Sequence, residues 1–191
     1  MHDTQSGSTD SVIALRPLQW PQDGARLQDF DASYSSTVIY EVEQDGLGFS
    51  LRELALQAPF LKNYPMDDIA DDVRDADAAW VAEEKDGALV GLATVEYQEW
   101  NRSLLITGIF VAPTHKQKGI GHALLGLIDG FARTTPARCL QLETQNTNVP
   151  AIHFYLKQGF RLCGVNTDLY DPAQVQPKEA ALYFTRELQR D

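Results

Sequence analysis

The stretch Ile109-Phe110-Val111-Ala112-Pro113-Thr114-His115-Lys116-Gln117-Lys118-Gly119-Ile120-Gly121-His122 brings together residue types that can do chemistry. A strand-like run enters a basic, glycine-containing loop, and an amphipathic helix opens behind it. The first-turn amides of a helix have no internal partners and point outward, and the helix dipole adds partial positive charge at that end. Gly119 and Gly121 let the backbone approach a ligand closely. Together these features make a cradle for a phosphate or diphosphate. Two nucleotide-binding loops are excluded: GxxxxGK[ST] is absent, and Leu124 stands where GxGxxG needs its third glycine. The plain alternative is a glycine turn ahead of a capped helix.

A second set of residues lies downstream. Asn148 precedes a helical pattern, Tyr155 follows seven residues on, and Gly159-Phe160 closes it. Seven residues are about two helical turns, so Asn148 and Tyr155 share a face. Alone, Tyr155 reads as an aromatic packing a helix onto a sheet. Cys139 and Cys163 are too few for a disulfide framework or a tetrahedral zinc site, and each reads as a small buried apolar residue. His115, His122 and His153 lack metal-ligand spacing, so no metal is expected. Residues 67–77 carry six Asp, of which Asp68, Asp71, Asp72 and Asp75 fall on one helical face. That face is either simply solvated or a rim that attracts cations.

The elements that must position these groups follow from periodicity. Residues 1–10 read as a disordered tail, and residues 11–191 as one domain. Strand patterns cover 11–15, 36–43, 80–84, 88–98, 104–111, 139–143, 160–165 and 180–186. A short helix fits 21–32, and residues 51–64 are ambiguous, with a break near Pro59. Strong helices fit 121–133, where Ile120, Leu124, Leu127, Ile128 and Phe131 share a face, and 148–158, with Asn148 as N-cap and Gly159 as the stop. Lys85-Asp86-Gly87 is a turn, and Asn101-Arg102 is a hairpin tip. The pattern is a layered α/β domain, rich in strands.

The 191 residues are 43% apolar and 23% charged, a globular composition. With 16 Lys and Arg against 27 Asp and Glu, the formal charge is −11, which argues against nucleic acid and suits a cationic partner. No apolar run approaches the roughly 20 residues of a membrane span. The polar N-terminus lacks the apolar core of a signal peptide, so the cytoplasm is the expected compartment.

Lys116-x-x-Gly119-x-Gly121 resembles the [R/Q]-x-x-G-x-[G/A] loop of the GNAT superfamily of N-acetyltransferases, with Lys in place of Arg or Gln and so without the planar fork. Asn148, Ala151, Tyr155, Gly159 and Phe160 resemble the family's N-x-x-A-x-x-x-Y-x-x-x-G-F helix. Ser36 to Val42, Gly48 to Glu53, Trp100-Asn101, Leu142 to Asn146, Pro150 to His153, Cys163-Gly164 and Leu169-Tyr170 look like the streptothricin (nourseothricin) acetyltransferases within it. The likeness covers residues 11–186, nearly the whole chain. It implies the GNAT fold, a central mixed, mostly antiparallel sheet flanked by helices, with acetyl-CoA as co-substrate. The acceptor would be a cationic small-molecule amine, in that subfamily one on the β-lysine part of the antibiotic. A homodimer is compatible with the likeness, although no residue identifies an interface.

The resemblance implies roles for particular residues. The diphosphate of acetyl-CoA would lie on the loop of Lys116, Gln117, Lys118, Gly119, Ile120, Gly121 and His122. Ile109, Phe110 and Val111 would line its arm, with Asn148 and Ala151 on the pantetheine and Tyr155 beside the sulfur as general acid. The base would be Glu96, Glu143 or water. Acceptor contacts are expected from Glu96, Glu99, Trp100, Asp168 and Tyr170. One departure stands out: the subfamily's acidic pair before the loop is replaced by Thr107-Gly108, with Phe110 in place of a further acid. If Asn101-Arg102 is a two-residue tip, Glu96 pairs with Thr107 and supplies the missing carboxylate; a bulge would spoil that register. The rival readings are the same chemistry on another metabolite amine or a protein lysine, and an acyl-CoA-binding module without catalysis.

Overall fold

The computed structural model describes residues 13–173 and 179–189. The tail expected at 1–10 lies outside them. Strands β1 (Ala14–Pro17), β4 (Ala78–Glu83), β5 (Leu89–Gln98), β6 (Ser103–Val111), β7 (Cys139–Gln145), β8 (Arg161–Asn166) and β9 (Ala181–Glu187) form one sheet, ordered β1-β4-β5-β6-β7-β9-β8. Every pairing in it is antiparallel except β6 with β7. The mixed, mostly antiparallel sheet expected from the resemblance is therefore found.

Parallel neighbours need a crossover, usually a helix. Here it is α3 (Ile120–Ala132), whose Leu124, Leu125 and Ile128 are at most 1% exposed, with Ile120 and Leu124 closing on Gly91 of β5. Burying each such side chain contributes about 1.5–3 kcal/mol. Helix α4 (Val149–Lys157) carries Tyr155 and Ile152 into the same core, its Phe154 lying against Gly121 of α3. Helix α1 (Gly24–Leu27) is a single turn, much shorter than the segment 21–32 that the sequence allows. Five of the six aspartates of 67–77 fall on α2 (Met66–Asp75), whose inner face is Ile69, Ala70 and Val73, and Asp77 lies just beyond it.

Two long strands leave the main sheet. Strands β2 (Tyr34–Asp45) and β3 (Gly48–Lys62) form a separate two-stranded sheet. The ambiguous segment at 51–64 is thus strand, with its irregularity near Pro59 as expected. The ladder runs from Val38↔Ala55 to Ser36↔Phe60, so residues 56–59 drop out of register opposite Thr37. Proline has no N–H to give a ladder. This arm is tied to the main sheet where Tyr40 N–H donates to the Asn146 carbonyl at 2.9 Å and Asn146 Nδ2 returns a bond to the Tyr40 carbonyl at 2.7 Å.

No helix among the described residues is long and apolar enough to cross a membrane. Cys139 is buried in β7 as expected, whereas Cys163 is exposed on β8. The expectation of burial fails for Cys163 because β8 is the outermost strand of the sheet, and Arg161 and Leu162 beside it are exposed too.

Candidate active site

The parallel ladder between β6 and β7 runs only from Ser103↔Cys139 to Ile106↔Leu142. Beyond it the strands part. Thr107 to Val111 and Glu143 to Gln145 then face a cleft of about 770 Å³, a size in the range of small-molecule sites. The separation begins at a bulge. Thr94 pairs with Gly108 but Val95 with Ile106, so Thr107 is an extra residue, and its hydroxyl donates to Thr94 Oγ1 at 2.7 Å. A bulge bends its strand and ends regular pairing.

At one end of the cleft lies the glycine loop. Gln117 (φ 63°) and Gly119 (φ 85°) are both left-handed, and Gly119 is the N-cap of α3. A side chain at 119 would be strained by that φ alone. The first intrahelical bond is Ala123 N–H to the Gly119 carbonyl, 3.0 Å, so the amides before it are free for a ligand. Lys116 lines the cleft with its ammonium 2.8 Å from the Ser33 carbonyl, and burial lowers its pKa while Asp31 opposes the shift. It therefore ties the loop to residues 31–33. His122 lies at the helix start as expected, bonded through Nδ1 to Gln158 Oε1 at 3.0 Å.

Helix α4 forms the wall. Asn148 caps it, its Oδ1 accepting from Ala151 N–H at 3.3 Å. Tyr155 lies two turns on, its ring wedged among Phe154, Phe160 and Phe184 with centroids 5.3, 5.6 and 6.5 Å away. The residue is 6% exposed and lines the cleft, and its hydroxyl makes no hydrogen bond among the described residues. Burial, helped by the charge of Glu143, pushes its pKa up, so the phenol stays protonated at neutral pH.

Glu143 faces Tyr155 from β7. Burial raises its carboxyl to about 6, while the hydrogen bond from Tyr170 and the charge of Lys62 pull the other way. Tyr170 Oη donates to Glu143 Oε1 at 2.7 Å. Cleft, loop, phenol and carboxylate are thus contiguous, which is the arrangement needed to hold a phosphorylated acyl carrier at one end and a nucleophile at the other.

The family profile that fits this arrangement, described as acetyltransferase (GNAT) family, matches residues 47–160. The chain belongs to that family. A streptothricin acetyltransferase of Streptomyces lavendulae is 38% identical over 188 residues, spanning 95% of this chain and 97% of the relative. Another from Escherichia coli is 30% identical over 164 residues, 86% and 91% of the two chains. The crystal structure of a nourseothricin acetyltransferase matches with a TM-score of 0.81 at 38% identity, covering 93% of this chain and 99% of that one. A putative streptothricin acetyltransferase from Bacillus anthracis str. Ames, solved in complex with acetyl coenzyme A, shares the fold with a TM-score of 0.74 at 21% identity, over 92% and 99%.

This GNAT N-acetyltransferase differs from the sequence reading on its acceptor side. Glu96 pairs with Leu105 and not with Thr107, because the β5–β6 turn holds four residues, 99–102, between Gln98↔Ser103. Glu96 does not line the cleft and instead acts on Asp72 of α2. Glu99 and Trp100 sit in that turn, with Trp100 84% exposed. Asp168 is exposed on the β8–β9 connection, accepting from its neighbour Thr167 at 2.9 Å. The geometry gathers none of these four beside Glu143; of the expected acceptor contacts, Tyr170 alone is there. The Thr107-Gly108 departure also has a physical counterpart. A Cβ at Gly108 would meet Phe110 Cε2 at 2.4 Å, so the Phe110 ring occupies the space of the missing side chain, edge-on to Tyr64 at 5.3 Å.

Several residues at the cleft or behind it carry no sequence signal of their own. Tyr34, Lys62 and Tyr64 come from the arm and its exit, and Thr147 and Glu179 from loops. Thr147 Oγ1 donates to the buried Glu179 at 2.9 Å and accepts from Tyr34 at 2.7 Å, while Lys62 pairs with the other Glu179 oxygen. Among the described residues, no group of three or more His, Cys, Asp or Glu is placed to hold a metal ion.

Proposed function

We propose that this protein transfers the acetyl group of acetyl-CoA to a primary amine of a streptothricin-type antibiotic. The observation that carries this reading is the cleft between β6 and β7, open to the free amides of α3 at one end and to Glu143 and Tyr155 at the other. The streptothricin acetyltransferases matched along almost its whole length support the acceptor.

Residues 117–122 hold the diphosphate, with Asn148 and Ala151 along the pantetheine, while Ile109, Phe110 and Val111 flank the arm. An alkylammonium has a pKa of about 10.4, so only about one molecule in a thousand is a free amine at pH 7.4. Leaving water lowers that pKa, and Glu143, with its carboxyl at about 6, accepts the proton as an ionised base near neutrality. The amine nitrogen then bonds to the thioester carbonyl carbon. A β6 amide near Ile109 or Phe110 stabilises the oxyanion. Its collapse breaks the C–S bond, the Tyr155 hydroxyl gives its proton to the departing thiolate, and the phenolate so formed takes the second amine proton as the neutral amide is left. Positioning supplies much of the acceleration.

Purified protein incubated with acetyl-CoA and streptothricin should release free thiol, read with a thiol dye. Release with other amines but none with streptothricin selects a different acceptor. That second reading is favoured by the carboxylate-free stretch Thr107-Gly108-Ile109-Phe110. Binding of coenzyme A with no turnover on an amine panel selects the non-catalytic reading.

A further inference from the structure

Three polar side chains form a chain ending on Glu143. Tyr64 Oη donates to Gln145 Oε1 at 2.7 Å, Gln145 Nε2 donates to Tyr170 Oη at 2.8 Å, and Tyr170 Oη donates to Glu143 Oε1 at 2.7 Å. A phenol has one proton. Because Tyr170 accepts from Gln145, its own proton is directed at Glu143, so every donor in the chain points toward the carboxyl group. Glu143 Oε2 receives no hydrogen bond from the described residues. The chain therefore splits the carboxylate into one oxygen that is held and one that is left for a ligand.

We propose that Tyr170 is a positioning residue: it fixes one oxygen of Glu143 as an acceptor and so presents the other, ionised, to the incoming amine. This rests on the reading of Glu143 as the acceptor-side base. The remaining groups facing Glu143 are Lys62 at the end of β3, Glu179 ahead of β9, Tyr155 on α4, and Tyr34 and Tyr64 from β2 and the segment before α2. Lys62 favours the carboxylate and Glu179 opposes it, and these two also pair with each other. The phenols are held protonated by burial. That leaves Tyr170 as the neutral donor bonded directly to the carboxylate among the described residues.

The test is the pH profile of kcat/KM for the amine, with wild type, Tyr170→Phe and Tyr64→Phe. A hydrogen bond to a charged acceptor favours the charged form, so its removal raises the acid limb by about one pH unit. Tyr64→Phe should move the limb the same way by less, and KM for acetyl-CoA should stay as in wild type. A carboxyl carbon NMR titration of Glu143, assigned by its loss in Glu143→Gln, reads the same shift with no turnover. A limb or NMR midpoint that stays put or moves down in Tyr170→Phe overturns the proposal. If Tyr170→Phe does not fold, an unmoved midpoint in Tyr64→Phe overturns it. Absence of acetyl transfer in wild type would overturn the functional reading instead, with the NMR titration still deciding the coupling of Tyr170 to Glu143.

Discussion

One carboxylate, Asp23, sits beside the edge strand β1 and another, Glu143, on the interior strand β7, and their partners set them apart. Asp23, 2% exposed, accepts from Arg16 Nη1 and Nη2 at 2.7 and 2.8 Å, from Arg26 Nη1 at 3.0 Å and from Gln19 N–H at 2.8 Å. Glu83 bonds both arginines from β4 and closes the cluster. The Arg16 hydrogen bond holds Asp23 at about 2, against desolvation. Glu143 has phenols and one shared lysine where Asp23 has two guanidiniums, and burial lifts it to about 6. The first arrangement locks a charge and fastens β1 and α1 to β4. The second leaves the proton exchangeable near neutrality. The two carboxylates are thus set apart by whether a guanidinium bonds the carboxylate directly and so outweighs the cost of burial.

The largest effect that would break this contrast is on turnover. Glu143→Gln should lower kcat/KM for the amine by about 10² to 10⁴-fold and abolish the acid limb near pH 6. Coenzyme A affinity, measured by calorimetry, should not change. Unaltered kinetics would assign the base role to water. Next comes Tyr155→Phe, with an expected loss of about 10²-fold in turnover and unchanged coenzyme A binding. Equal rates for wild type and variant would remove the phenol from the acid role.

On the structural side, Asp23→Asn should cost about 2 to 3 kcal/mol near pH 7, a fall in Tm of about 5–10 °C. The sign follows from linkage. The folded pKa of Asp23, about 2, lies below the ordinary 3.8, so its stabilisation is present above pH 4 and lost as pH falls toward 2. Thermal melts of wild type and variant should therefore converge at the acid end. A constant gap across that range would mean the arginines act through packing alone.

The same contrast governs what was legible in the sequence. Residues 109–160 hold the strand, the glycine loop and both helices that wall the cleft, and the sequence reads them to within a residue or two: α3 at Ile120–Ala132 against 121–133, α4 at Val149–Lys157 against 148–158. Helical period, an Asn cap and a left-handed glycine are all local signals. The polar groups around Glu143 are assembled from residues far apart in sequence, such as Tyr34 with Thr147 and Lys62 with Glu179. Strand β3 was ambiguous because both its faces are largely exposed, so no alternation marks it. Glu96 was misplaced by two features without an unambiguous local code, a four-residue turn and the bulge at Thr107.

The smallest expected effect is the most discriminating, because it has the opposite sign from loss of function. The folded pKa of Glu143, about 6, lies above its ordinary 4.5, so the fold gains from protonation. That stabilisation is fully present below the unfolded pKa and is lost as pH rises through about 6. Above pH 7 the folded state carries an ionised carboxylate against its preference. Glutamine keeps the shape and the acceptor for Tyr170 but carries no charge. Glu143→Gln should therefore be more stable than wild type by about 1 kcal/mol at pH 8, raising Tm by about 2–4 °C, with the difference shrinking to nothing below pH 4. Asp23→Asn loses stability over that same neutral range, so melts of the two variants at pH 8 and pH 4 separate a carboxylate that holds the fold from one that the fold strains to keep available. A destabilised Glu143→Gln at pH 8 would place Glu143 with Asp23, as a group whose charge is structural.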